Sequence, residues 1–402
     1  MQAGIRFKLS LMMFLEFFIW GAWFVTMGTY LSSVLSSNGD EISAAYSTQS
    51  LGAIIAPFII GLIADRYFAA QRILGFLHLA GAVLMYLAAQ SDHFAAFFPY
   101  ILVYMILYMP TLALVNSISF RQMKDPSSEF SIIRLWGTIG WIVAGLFIGY
   151  IFKWESKGML QYTFYMASGV SAFLGFFSFL LPDTPPKATS GKKPSLGEIL
   201  GLDALRLLKE KNFLVFFISS ILLCIPLAFY YQNANLFLNN VGMKNAAGNM
   251  TFGQASEVFF MLMLPIFLKR FGLKSTLLFG MAAWAVRYML FAYGDAGQGV
   301  WMLFTGILLH GICYDFFIVS GQIYTDFKAG EQIKSSAQGL ITLATYGVGM
   351  FIGFWLAGMI YDHYTDMVGV HDWKMIWTIP AIVAAVVLVL YAAVFKNEKI
   401  NA

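Results

Sequence analysis

Apolar residues in this chain come in blocks of about twenty, parted by short polar breaks. A helix needs about 20 residues to cross a bilayer's hydrocarbon core, so each block reads as one spanning helix. The blocks lie near residues 9–34, 43–64, 73–90, 95–119, 131–152 and 160–181, then near 213–239, 251–268, 274–293, 299–325, 335–360 and 373–395. This pattern predicts an all-α integral membrane protein of about twelve transmembrane helices, six before and six after one interruption. The interruption, Pro182 to Lys211, is the only long polar stretch. It carries four prolines (Pro182, Pro185, Pro186 and Pro194) and then the amphipathic run LGEILGLDALRLLK, so it reads as a linker with one interfacial helix. The expected organisation is a six-helix bundle over 1–181, a linker over 182–211 and a second six-helix bundle over 212–402.

Composition supports the membrane reading. The 402 residues are 59% hydrophobic and 11% charged, against about 25% charged in soluble proteins. The first apolar run follows Arg6 and Lys8, as a signal peptide's would, but it is long, holds Glu16 and lacks a small-residue cleavage pattern, so it reads as a retained helix. Cys224 and Cys313 lie inside apolar runs and read as small buried thiols. The net charge of +4 is small, and no basic cluster interleaved with aromatics suggests nucleic-acid binding.

The placement of charge gives an orientation. With the N-terminus in the cytoplasm, nineteen Lys and Arg fall on the cytoplasmic side, including Arg66, Arg72, Lys269, Arg270 and the six of the linker. Only Lys153, Lys157, Lys244 and Lys374 fall outside, so both termini are expected in the cytoplasm. The halves also resemble each other. GLIADRYFAAQR (61–72) and PIFLKRFGLKS (265–275) are short, basic and equivalently placed, and the fifth and eleventh blocks are both rich in glycine. Paired six-helix repeats are typical of transporters that rock two bundles about a midplane site.

The candidate chemistry lies in polar residues stranded among apolar ones, where a carboxylate costs roughly 2.5 kcal/mol or more unless paired, protonated or wet. Gln254 and Glu257 are three apart and share a helical face; they either line a cavity or cap the outer end of their helix. Arg134, Thr138 and Trp141 form a stripe at i, i+4 and i+7 that offers a cation, a hydroxyl and an aromatic face, or else Arg134 snorkels with Glu129 or Asp125. Asp315, with Tyr314, Phe316 and Phe317 about it, is placed to load and release a proton, or is a structural partner of Arg287 or His310. Glu16, sharing a face with Trp20 and Trp23, is a further proton site, a carboxylate answering Arg134, or a group near the cytoplasmic end that reaches water. Pro226 interrupts the seventh span, and beyond it Tyr231 and Asn235, four apart, are expected to face a cavity together. Asn116 is a weaker candidate, balanced between cavity and helix packing, and Arg287 reads as structural. No metal-ligand cluster, phosphate loop or nucleophile–base set stands out, so no cofactor, metal or enzymatic chemistry is expected.

GLIADR, with Asp65 and Arg66, resembles the loop motif of the major facilitator superfamily. Further stretches narrow the likeness: FIWGAWFVTMGTYL (18–31), YMPTLALVNSISF (108–120), IRLWGTIGW (133–141), GLDAL (201–205), GQASEVFFMLMLPIFLKRFGLK (253–274), RYMLFAYGD (287–295) and the run from Tyr314 to Gly339. Together they resemble the bacterial nucleoside:proton symporters of that superfamily, through nearly the whole chain. The resemblance implies that Asp65 and Arg66 brace a cytoplasmic gate and that Arg134 faces a central cavity. It implies that Gln254 and Glu257 help bind nucleoside, and that Asp315 serves substrate recognition or proton coupling. Glu16 departs from the glutamine common there, and Ala228 and Tyr231 replace the family's polar residues in the seventh span. The expectation is a multi-pass, monomeric protein of the bacterial inner membrane that imports nucleosides with protons by alternating access, with a sugar or glycoside symporter on the same fold as the alternative.

Overall fold

The computed structural model describes residues 2–59, 68–123, 126–185 and 202–398. Unpaired backbone amides are costly in hydrocarbon, so the apolar blocks close their hydrogen bonds within helices. The described helices are α1 (Ala3–Gly21), α2 (Met27–Ser33), α3 (Gly39–Ile59), α4 (Ala70–Ala89), α5 (Phe94–Arg121), α6 (Pro126–Leu146) and α7 (Gln161–Ser178), then α8 (Lys211–Asn240), α9 (Ala246–Tyr293), α10 (Val300–Cys313), α11 (Ser320–Thr342), α12 (Met350–His363) and α13 (Trp373–Val394). Eight of the described helical stretches are long and apolar enough to cross a bilayer. Helices α1, α3 and α7 fall short of that mark; α3 carries the polar run Ser47 to Ser50 in its middle.

The first expected span differs: the chain leaves α1 at Gly21 and re-enters helix at Met27, with Trp23 and Phe24 buried in the turn between. Helix α9 carries two expected spans and breaks between them, as expected, at Gly272, whose φ of 78° favours glycine. The described part of the amphipathic linker run, Leu202–Lys209, is a 3-10 helix that buries Ala204 and Leu207. π-helical turns extend α6 (Phe147–Ile151), join α10 to α11 (Tyr314–Val319) and join α11 to α12 (Leu343–Gly349).

The chain divides into two compact units. One comprises Met1–Ser37, Thr48–Lys193 and Asn245–Gly248; the other comprises Asn38–Ser47, Pro194–Lys244 and Asn249–Ala402. In the first unit α1 packs along α6, and α4 packs along α5 and α7. Gly140 makes the α1–α6 contact close, since a Cβ there would collide with the Phe14 carbonyl oxygen. The Glu155 carboxylate holds the start of α9 in this unit, accepting from Ala247 N–H at 2.9 and 3.1 Å. In the second unit α8 is the hub, packed against α12 and α13. Asp362 caps the start of α3 there, accepting from Gly39 N–H at 2.6 Å and Asp40 N–H at 3.2 Å. Lys328 bridges Glu210 at 2.6 Å and Glu398 at 3.0 Å in the same unit.

Candidate functional site

In the first unit, Arg134, Thr138 and Trp141 are all half-buried on α6, as their spacing requires. The neighbouring Leu135 and Trp136 are exposed, while Ile133, Gly137 and Gly140 are buried. The Arg134 guanidinium lies 4.1 Å from the Phe17 ring centre, and its buried Nη1 meets no acceptor among the described residues. The alternative pairing of Arg134 with Glu129 is absent among the described residues, and an aromatic face lies against the guanidinium. Trp141 stands edge-on to Trp20 at 5.5 Å, and Trp20 edge-on to Tyr108 at 5.8 Å, forming an aromatic wall beside the stripe. Asn116 is half-buried on α5. Asp65 and Arg66, the expected gate pair, and Asp125 lie outside the described residues.

Glu16 corrects two expectations, since it neither reaches water nor answers Arg134. Its side chain is 0% exposed. Oε2 lies 2.8 Å from His78 Nε2, and Oε1 accepts from the Thr111 hydroxyl at 2.5 Å. The Glu16 backbone oxygen accepts from Tyr108 O–H at 2.7 Å. The Ser171 hydroxyl lies 2.9 Å from His78 O and 3.1 Å from His78 Nδ1. At 2.8 Å a hydrogen lies between Nε2 and the carboxylate. The sequence reading missed His78, because one histidine in an apolar helix carries no periodic signal.

In the second unit, Gln254 and Glu257 lie half-buried on the first part of α9. Glu257, 14% exposed, approaches His310 with Oε2 3.8 Å from Nε2. Asp315 is 0% exposed and lies in the π turn after α10, a backbone feature frequent at functional sites. Neither of its carboxylate oxygens has a hydrogen-bond partner among the described residues. It is therefore not paired with Arg287 or His310, which bond each other at 3.1 Å. Arg287 is fully buried, with its guanidinium 3.6 Å from the Tyr230 ring centre.

Phe316 and Asn235, expected to contact substrate, are both buried. Phe316 is 2% exposed and contacts Phe267 at 4.6 Å and Phe260 at 5.8 Å, so it packs the π turn against α9. Asn235 is 1% exposed, with Nδ2 3.8 Å from Met250 Sδ, and it accepts from Asn239 Nδ2 through Oδ1 at 3.3 Å. Tyr231 is half-buried and interacts electrostatically with Glu257 and Tyr314. Gln232 and Asn233 bury both amide atoms without partners among the described residues. An apolar groove of about 490 Å³ is lined by Val286, Met289, Tyr293, Met302 and Ile382. Among the described residues no three His, Cys, Asp or Glu side chains gather as a metal site, and both cysteines are free and buried.

Apolar helices with isolated, buried ionisable groups define a polytopic membrane transporter of the major facilitator fold. The family model "Nucleoside H+ symporter" matches residues 3–400, and the chain belongs to that family. It is 48% identical over 401 residues to the putative nucleoside transporter YegT of Escherichia coli K12, covering 97% of this chain and 94% of that one. It is 35% identical over 411 residues to the xanthosine permease of the same organism, covering 98% and 96%. The crystal structure of the nucleoside transporter NupG superposes with a TM-score of 0.87 at 33% identity, covering 98% of this chain and 100% of that one. The family is one of transporters, not enzymes.

Proposed function

We propose that this protein imports nucleosides together with protons across the bacterial inner membrane, by alternating access, as a monomer with both termini in the cytoplasm. The two bundles are read as 1–181 and 212–402, joined by the linker 182–211. Arg134, Thr138 and Trp141 offer a cation, a hydroxyl and an aromatic face suited to a flat base with polar edges. Gln254 and Glu257 offer amide and carboxylate partners for ribose hydroxyls or a base edge. Tyr231 and Asn116 are further candidate contacts. Phe316 and Asn235 act by packing around the site.

The observation that carries the coupling is Asp315, buried with both oxygens unpartnered. An ionised carboxylate without donors is costly in such surroundings, so this arrangement holds the acid form. Coupling requires that proton binding differ between the outward and inward states, and release of the proton needs donors or water that this arrangement withholds. Glu257 is the second candidate carrier. Glu16, whose oxygens are all engaged, serves instead to hold the first unit together. The test is nucleoside uptake into proteoliposomes with and without an imposed pH gradient. Uridine or adenosine should compete for uptake, and disaccharides should not. Gradient-driven accumulation should vanish in Asp315→Asn; equal uptake with and without the gradient in the unaltered protein refutes symport.

A further inference from the structure

Behind Glu257 lies a fixed chain of donors. Arg287, on the part of α9 after Gly272, places Nη1 3.1 Å from His310 Nδ1. A guanidinium only donates and does not lose its proton, so Nδ1 accepts and carries no hydrogen. The imidazole's hydrogen then sits on Nε2, and Nε2 faces Glu257 Oε2 at 3.8 Å. That is longer than a hydrogen bond and attractive all the same; a shift of about 1 Å closes it.

Packing holds the order in place. The His310 ring stacks on Tyr230 at 5.5 Å and on Tyr314 at 6.0 Å. Gly311 N–H donates to Ser256 Oγ at 3.0 Å, which ties α10 to α9 one residue from His310 and one from Glu257. Among the described residues no carboxylate reaches salt-bridge distance of Arg287; Tyr230 faces its guanidinium at 3.6 Å and Phe291 at 5.6 Å. Among the groups facing Glu257 are His310, Asp315 and Tyr231; among those facing His310 are Arg287, Tyr230, Tyr314 and Glu257.

We propose that Arg287 and His310 are positioning residues for the substrate site: the arginine fixes the imidazole so that it presents Nε2–H to Glu257, which steers that carboxylate to accept from a donor group of the nucleoside and keeps the transported proton off the histidine. This rests on the nucleoside-symport reading, which assigns Glu257 to the substrate. The role needs an acceptor toward Arg287 and a donor toward Glu257, and a glutamine side chain has both. The charge of Arg287 matters through the imidazole's protonation, not through direct contact with substrate.

The experiment measures nucleoside affinity of the purified protein for four variants, with thermal unfolding run beside it. His310→Gln should stay within about threefold of the unaltered protein, whereas His310→Phe, which keeps the ring and loses both nitrogens, should weaken binding about tenfold or more. Arg287→Met removes the donor that keeps Nδ1 bare, so the ring hydrogen can move to Nδ1 and binding should weaken about as much as in His310→Phe. Arg287→Met with His310→Gln should bind more tightly than Arg287→Met alone, because the glutamine amide still offers a donor to Glu257. Histidine nitrogen-15 spectra of the unaltered protein, with His310→Gln identifying the signal, should show Nδ1 bare and Nε2 protonated at pH 7. His310→Phe binding normally, His310→Gln failing as badly as His310→Phe, or a hydrogen on Nδ1 each overturns the proposal. Absent nucleoside binding in the unaltered protein sinks the symport reading, whereas intact binding with the wrong tautomer sinks this one.

Discussion

Glu16→Ala should cost the first unit about 3–5 kcal/mol, the range for breaking a buried charged pair by removing one partner. The figure follows from what the carboxyl holds. His78 Nε2, at 2.8 Å, and the Thr111 hydroxyl, at 2.5 Å, both lose a partner in a site closed to water. Each orphaned polar group costs about 1–3 kcal/mol, and the emptied space adds to it. Glu16→Gln is the informative contrast. With the ring hydrogen on Nδ1, where the Ser171 oxygen can accept it, Nε2 accepts from the glutamine amide while the amide oxygen accepts from Thr111. That substitution should cost no more than about 1 kcal/mol, the net worth of one hydrogen bond. Thermal unfolding in detergent ranks the two variants, and gradient-driven uptake is measured on the same preparations. Glu16→Gln should keep both its fold and its response to the gradient. Equal destabilisation by Gln and Ala refutes this arrangement of donors and acceptors. A well-folded Glu16→Gln that no longer accumulates substrate refutes the structural role and returns Glu16 to the proton path.

Asp315→Leu should raise thermal stability by the equivalent of about 1–3 kcal/mol, because it removes an unpartnered buried carboxyl, while abolishing gradient-driven accumulation; a loss of stability would show that the carboxyl has donors. Gly140→Ala should cost about 1–3 kcal/mol as its methyl forces α6 away from the Phe14 carbonyl of α1, and unchanged unfolding would refute that contact. Burial pulls the loop residue His371 below the ordinary imidazole value, so the unfolded chain binds the proton more readily; the loop's stability is complete above about pH 6.5 and is lost as pH falls toward the folded value. Hydrogen exchange across 364–372 should quicken on acidification, and His371→Asn, read by the same measurement, should remove the dependence.

Length and hydropathy carried the architecture because a bilayer imposes one length on every crossing. The break at Gly272 was legible as the basic run LKRFGLK, where charge and glycine end a span together. The break at 22–26 was not, since Trp23 and Phe24 bury in a turn as readily as in a helix. Helical spacing placed Arg134, Thr138 and Trp141 on one face, and all three stand half-buried together. The same spacing put Tyr231 and Asn235 on one face without fixing depth: Tyr231 is half-buried, whereas Asn235 is buried against Met250 and Asn239. Partnership was least legible of all. Arg287 reads as structural along the chain, and α8 brings Tyr230 and α10 brings His310 to it.

The two units meet the same difficulty in different ways. Glu16 and Asp315 are carboxyls sealed from solvent, yet Glu16 is bound at every oxygen while Asp315 is bound at neither. A proton fixed between two partners is held in place, and removing it strands both. A proton on an unpartnered acid is held only by the cost of charge in apolar surroundings, a cost that water or a polar substrate lifts. Arg287 bears on that difference. Were it in contact with Asp315, the ion pair would keep the carboxylate charged and bind the proton poorly in every state. Instead the cation lies on the Tyr230 face and beside His310, and neither Asp315 oxygen is bound among the described residues. The buried arginine and the unpartnered aspartate are therefore two sides of one arrangement, in which a permanent positive charge is kept off the carboxyl that the proposed coupling would load and unload.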